Sequence, residues 1–184
     1  AEKTAKKCRI LGADDVLVIK LDVKESKSIL KAVEEIIKKF NNLDVLINNA
    51  GVISWKGLLE QSDEEIEDQV RTNLEGLIKL TKYCLPYVKE TIINIASGAG
   101  KTPHPGLTTY CATKFGVRGF TQTLALEQRR IKVYSINTGA TATRMTNFRG
   151  VSPAEVAKII FNTAIGKYNF PSGSDIDVWD YTDI

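Results

Sequence analysis

The sequence predicts an α/β fold, one parallel sheet with helices packed on both of its faces. Three observations predict it. Short apolar runs alternate along the chain with longer segments whose apolar residues recur at helical spacing. The runs, such as Val16–Leu21 and Thr91–Ala96, are nearly continuous rather than alternating, as in strands buried on both faces. Polar or glycine-containing turns follow them at Asp22, Asn48–Gly51, Ser97 and Asn137–Thr143, the carboxyl ends where open parallel sheets bind ligands.

The elements follow in order. Residues 1–9 read as part of a charged helix that Gly12 stops, and Val16–Leu21 reads as a β-branched strand ending at Asp22. From Lys27 to Phe40, the residues Ile29, Val33, Ile36, Ile37 and Phe40 form one stripe of an amphipathic helix, which Asn41 and Asn42 end. Leu43–Ile47 is the next strand. Ser62 and Glu65 make a capping box for a long helix carrying Ile66, Val70, Leu74, Leu77, Thr81, Cys84 and Val88. Thr91–Ala96 is a strand, and the loop to Thr109 holds Gly98, Gly100, Pro103, Pro105 and Gly106. A helix from Tyr110 to about Arg129, a strand at Ile131–Ile136, a helix starting at Pro153 and a short strand near Ile176–Val178 complete the chain.

Composition narrows the function classes. At 184 residues and 43% hydrophobic content the chain suits one domain, and no linker or internal repeat divides it. A net charge of +3, spread along the chain, is too small to argue for nucleic acid. Cys8, Cys84 and Cys111 form no CxxC pair, so neither a disulfide framework nor a metal site is expected, and a reducing cytoplasm fits. No apolar run approaches the roughly 20 residues of a membrane span, and no signal peptide opens the sequence. Because the first residue is Ala1 and the opening residues read as mid-helix, the natural chain is expected to begin earlier.

The segment Thr108–Phe115, TTYCATKF, sets a tyrosine and a lysine at i and i+4, on one face of a helix. An ammonium beside a phenol favours the phenolate, so Lys114 is expected to lower the pKa of Tyr110 and make it a general acid or base. Alone the pair is a weak signal, since an aromatic packed on a lysine stem gives the same spacing. Ser97 at the preceding strand end and Asn49-Ala50-Gly51 after an earlier one strengthen it.

With these residues together, the chain resembles the short-chain dehydrogenase/reductase family. Asn48–Gly51 matches its NNAG, Asn73 its helix asparagine, Ser97 its serine, and Tyr110 with Lys114 its YxxxK. The resemblance runs from the strand ending in Asp22 to the last strand. It implies a Rossmann-like, doubly wound, three-layer α/β/α fold and hydride transfer between NAD or NADP and a small carbonyl or alcohol. It implies that Tyr110 exchanges a proton with the substrate oxygen while Ser97 hydrogen-bonds that oxygen. Lys114 is implied to hold the nicotinamide ribose, and Asn73 a water that relays protons. Asp22 and Val23 would contact adenine, Asn49, Ala50 and Gly51 would flank the adenosine and ribose, and Gly139, Thr141 and Thr143 would approach nicotinamide and phosphates. A homodimer or homotetramer is the implied assembly, through the helices of Asp63–Glu90 and Tyr110–Arg129.

The sequence departs from the family in places. It has no TGxxxGxG turn, and its first readable strand corresponds to the family's third, so an amino-terminal segment carrying these elements is expected to precede it. Thr138-Gly139 stands where Pro-Gly is usual, and the Thr143–Ser152 lid is short, with Arg144, Met145, Phe148 and Arg149 able to line a pocket. His104, the only histidine, reads as a loop residue, and Cys111 as packing. A catalytically silent protein on the same fold, binding nucleotide or a partner, is the competing expectation.

Overall fold

The computed structural model describes residues 1–182. Four strands, β1 (Leu43–Asn48), β2 (Val88–Ile95), β3 (Lys132–Asn137) and β4 (Asp175–Asp177), form one sheet in that order, and every neighbouring pair is parallel. The helices are α1 (Glu2–Ile10), α2 (Ser26–Phe40), α3 (Asp63–Val70), α4 (Gly76–Cys84), α5 (Thr108–Glu127) and α6 (Pro153–Ala164).

The strand register sorts the core into two layers. Leu46, Ile92 and Val133 stand side by side on one face, where Ile29 and Val33 of α2, Cys84 of α4 and Leu124 of α5 cover them. On the opposite face Ile93, Tyr134, Ile136 and Ile176 meet Val156 and Ile159 of α6. The expected three-layer α/β/α arrangement is present, because strands apolar on both sides need cover on both. Of the α2 stripe, Ile29 and Val33 are buried, Ile36 and Ile37 are half-buried and Phe40 is exposed. Ser62 caps α3 through a reciprocal box, its Oγ accepting from Glu65 N at 3.3 Å while a Glu65 carboxylate oxygen accepts from Ser62 N at 2.9 Å.

Two expectations need correction. The run Val16–Leu21 forms no strand. A strand needs a partner ladder as well as β-branched residues, and no described residue supplies one. The long helix does not reach Val88. It ends at Cys84, a 3₁₀ turn at Leu85–Tyr87 contains Pro86, and Val88 begins β2. Between α3 and α4 the chain forms a π turn, Arg71–Glu75, one residue wider per hydrogen bond than the α-helix.

Candidate active site

The carboxyl ends of β1, β2 and β3 open on one side of the sheet, and α5 starts over them. Gly100 permits this approach: a Cβ there would lie 2.8 Å from the Lys114 carbonyl oxygen. Tyr110 and Lys114 sit on successive turns of α5, and the Tyr110 carbonyl accepts a 2.8 Å bond from Thr113 Oγ1. Lys114 reaches across to β2, where its Nζ donates to the Ile95 carbonyl at 2.8 Å. The Nζ stands 5.6 Å from the centre of the Tyr110 ring.

Both side chains are buried, Tyr110 to 8% exposure and Lys114 to 5%. Burial pushes the Lys114 ammonium down to about 8. It pushes the Tyr110 phenol up, with Ser97 pulling weakly the other way. The expected lowering of the tyrosine is therefore reversed. Desolvation of the phenolate is the largest cause of the rise.

Tyr110 lines two cavities. One, of about 300 Å³, is shared with Asn49, Gly51, Lys114, Thr138, Thr141 and Thr143. The other, of about 360 Å³, is shared with Ser97 and His104 and with the apolar Ile53, Trp55 and Leu107. Met145 borders both. The serine sits in extended backbone, and its Oγ accepts from Ala99 N at 3.2 Å.

Asn73 lies in the π turn at 1% exposure and lines neither cavity. Its Oδ1 accepts from Val52 N and its Nδ2 donates to Val52 O, both at 2.8 Å, with a second donation to Thr113 Oγ1 at 3.2 Å. It thus ties the turn after β1 to α5. A Cβ on Gly51 would sit 3.5 Å from Asn73 Oδ1 and 3.8 Å from Lys114 Nζ, so the glycine lies between them.

The other expected cofactor residues divide. Val23 and Ala50 line a separate small cavity beside β1, together with Asn49 and Leu21. Asp22 lines none of these cavities. Its Oδ1 accepts from Lys24 N at 3.0 Å and its backbone N donates to Ser28 Oγ, fixing the entry to α2. Gly139 packs near Trp179 and lines neither cavity at Tyr110. The Thr143–Ser152 segment is a closed loop pinned by Thr146, whose hydroxyl lies within donating distance of the carbonyls of Thr141, Thr143 and Arg149 and has one proton to give among them. Ile53, Trp55, Thr138 and Thr146 were not expected at the site, and no spacing in the sequence marks them.

The residues at the polar cavity suit a nicotinamide coenzyme's ribose end. Among the described residues Lys114 Nζ has one protein acceptor, leaving N–H donors for hydroxyls, and the missing side chain of Gly51 leaves room beside it. Among the described residues there is no cluster of His, Cys, Asp and Glu that could hold a metal. Nor is any helix there long and apolar enough to cross a membrane.

A family model described as short chain dehydrogenase matches residues 1–152. The chain is 37% identical over 153 residues to a 3-oxoacyl-[acyl-carrier-protein] reductase of Haemophilus influenzae, covering 80% of this chain and 62% of that protein. It is 38% identical over 143 residues to a 3-ketodihydrosphingosine reductase of Bacteroides thetaiotaomicron, covering 74% and 53% respectively. The chain thus spans less than two thirds of either relative. Among solved structures, a dehydrogenase/reductase from Sinorhizobium meliloti superposes with a TM-score of 0.88 at 22% identity, covering 96% of this chain and 78% of that one. Levodione reductase does so with a TM-score of 0.88 at 20% identity, covering 96% and 80%. At such identities these two likenesses speak for the fold.

Proposed function

Since the chain belongs to the short-chain dehydrogenase family, we propose that it takes part in an NAD- or NADP-dependent reduction of a small carbonyl, or oxidation of the matching alcohol. The observation that carries this reading is that Tyr110 borders a polar cavity with Lys114 on one side and an apolar cavity with Ser97 on the other. When bound, the coenzyme would supply the hydride that reduces the carbonyl carbon.

The chain's own residues would do the rest. Tyr110, kept protonated by its burial, would give its proton to the carbonyl oxygen as negative charge develops there. Ser97 Oγ would hydrogen-bond the same oxygen and fix its position. Lys114 would bind ribose hydroxyls with the N–H groups not given to Ile95. Asn73 would hold the Val52 backbone, and with it the Gly51 approach, with one remaining Oδ1 lone pair for a relay water. Asn49, Thr141 and Thr143 would contact the coenzyme beyond the ribose, and Val23 and Ala50 its adenine end.

Assembly as a homodimer or homotetramer in the cytoplasm belongs to the same reading. Val70, Ile78 and Phe115 leave apolar surface exposed on α3, α4 and α5. Light scattering of the purified protein would test it.

Titration of the full-length protein with NADH and NADPH, followed by tryptophan fluorescence and thermal shift, tests the coenzyme. Saturable binding of one, with carbonyl-dependent oxidation of it, is expected. Binding without turnover of any carbonyl would favour a silent nucleotide-binding protein instead.

A further inference from the structure

The two cavities at Tyr110 differ in chemistry. The one on the Ser97 side measures about 360 Å³, close to the lower end of the roughly 300–1,000 Å³ found for small-molecule sites. Its wall is mainly apolar and includes Ile53, Trp55, Leu107, Ala140 and Met145. Among the described residues its only ionisable side chains are His104 and Tyr110. Arg144 and Arg149, the cations of the neighbouring loop, are exposed and line neither cavity.

A carboxylate or phosphate taken into this wall would lose its hydration with no arginine or lysine to replace it. An apolar group would be stabilised in proportion to the area it buries. At the mouth, Trp55 is 63% exposed and Met145 40% exposed. These are large apolar side chains left open to water beside the proton donor, and an apolar ligand would cover them.

Resting on the oxidoreductase reading above, the geometry points to a substrate class: small uncharged ketones, and the matching secondary alcohols, carrying one apolar ring or branched group. The carbonyl oxygen lies between Ser97 and Tyr110, and the apolar group lies against Trp55, Leu107 and Met145. In the reductive direction the carbonyl carbon gains a hydride from the reduced coenzyme and the oxygen gains the Tyr110 proton. The ketone becomes a secondary alcohol and the coenzyme leaves oxidised. On this reading the polar cavity takes the coenzyme and the apolar cavity takes the substrate.

The test compares acetophenone, cyclohexyl methyl ketone and the carboxylated 4-acetylbenzoate in the full-length protein. Turnover is read as NADH or NADPH oxidation. Binding is read separately, as quenching of Trp55 in a Trp179→Phe background, because the chain has two tryptophans. The uncharged ketones are expected to exceed 4-acetylbenzoate in kcat/KM by about tenfold or more. Trp55→Ala is expected to remove most of that preference. Equal or better turnover of 4-acetylbenzoate overturns the assignment, as does failure of both uncharged ketones to quench Trp55. Quenching by these ketones without turnover of any carbonyl keeps the apolar site and overturns the oxidoreductase reading instead.

Discussion

The Lys114 carbonyl oxygen lies 2.8 Å from the point a Cβ on Gly100 would occupy, and its carbonyl carbon 2.9 Å. The turn after Ser97 and the helix that carries Tyr110 are therefore packed backbone against backbone. Gly100→Ala must move one of them. Because misplacement by about 1 Å can cost on the order of 100-fold in rate, kcat/KM is expected to fall by that order with the fold retained. Circular dichroism alongside kinetics checks both halves.

Gly51→Ala makes an instructive contrast. The added methyl would meet Asn73 Oδ1 and Lys114 Nζ at ordinary contact distances of 3.5 and 3.8 Å. Stability should change by less than about 1 kcal/mol, while coenzyme affinity drops because the methyl fills space beside Nζ. Urea unfolding and nucleotide titration separate the two effects.

Tyr110→Phe removes the proposed proton donor and leaves the ring packed against Ala99, Leu107 and Cys111. Turnover should fall by about 10²–10⁴-fold, the usual contribution of a positioned general acid. Nucleotide binding should persist. Retained turnover would take Tyr110 out of the chemistry.

Lys114 gives a pH signature. Burial holds its ammonium at about 8, against an ordinary 10.5. Between these values the unfolded chain binds the proton and the folded chain releases it, so stability rises with pH across that window. It is lost again as pH falls through about 8. Lys114→Met has no such slope. The wild type should gain roughly 3 kcal/mol relative to the variant between the two values. At pH 7 the variant should be the more stable protein, and urea unfolding at several pH values measures both.

Arg118 links three elements. It donates to the Gly100 carbonyl on the turn, while its Nε bonds Asp175 Oδ2 of β4 at 3.0 Å, and both partners are largely buried. Arg118→Met leaves the Asp175 carboxylate without its cationic partner, with only neutral donors such as Gln122 beside it. The expected loss is about 2 kcal/mol or more, seen as a lower urea midpoint.

How far the sequence was legible depended on where each signal's cause lies. The α2 stripe, the Ser62–Glu65 box and the apolar strands carry their causes locally, and these elements stand where expected. Pro86 was also a local signal, and it ends the helix before Val88. The run Val16–Leu21 shows the limit, because pairing depends on a partner that a strand's own residues do not encode. The chemical motif behaved likewise. The spacing of Tyr110 and Lys114 brought both to one cavity, but the sign of the tyrosine's shift depends on burial, which spacing does not carry. Asp22 had two compatible uses in the sequence, and its bonds in the fold serve the entry to α2.

The π turn at Arg71–Glu75 has a consequence for helical phase. A wider turn rotates everything downstream relative to everything upstream, so α3 and α4 do not present one common face. Gln69, which bonds Gln61 and Ser54, is thereby aimed at the loop after β1, while Leu77, Thr81 and Cys84 are aimed at the sheet. Deleting one residue within the turn would restore a uniform α-helix and spoil one alignment or the other, swinging Asn73 off Val52. The turn therefore behaves as a frame-setting insertion, tolerant of substitution on its exposed side and intolerant of any change in length.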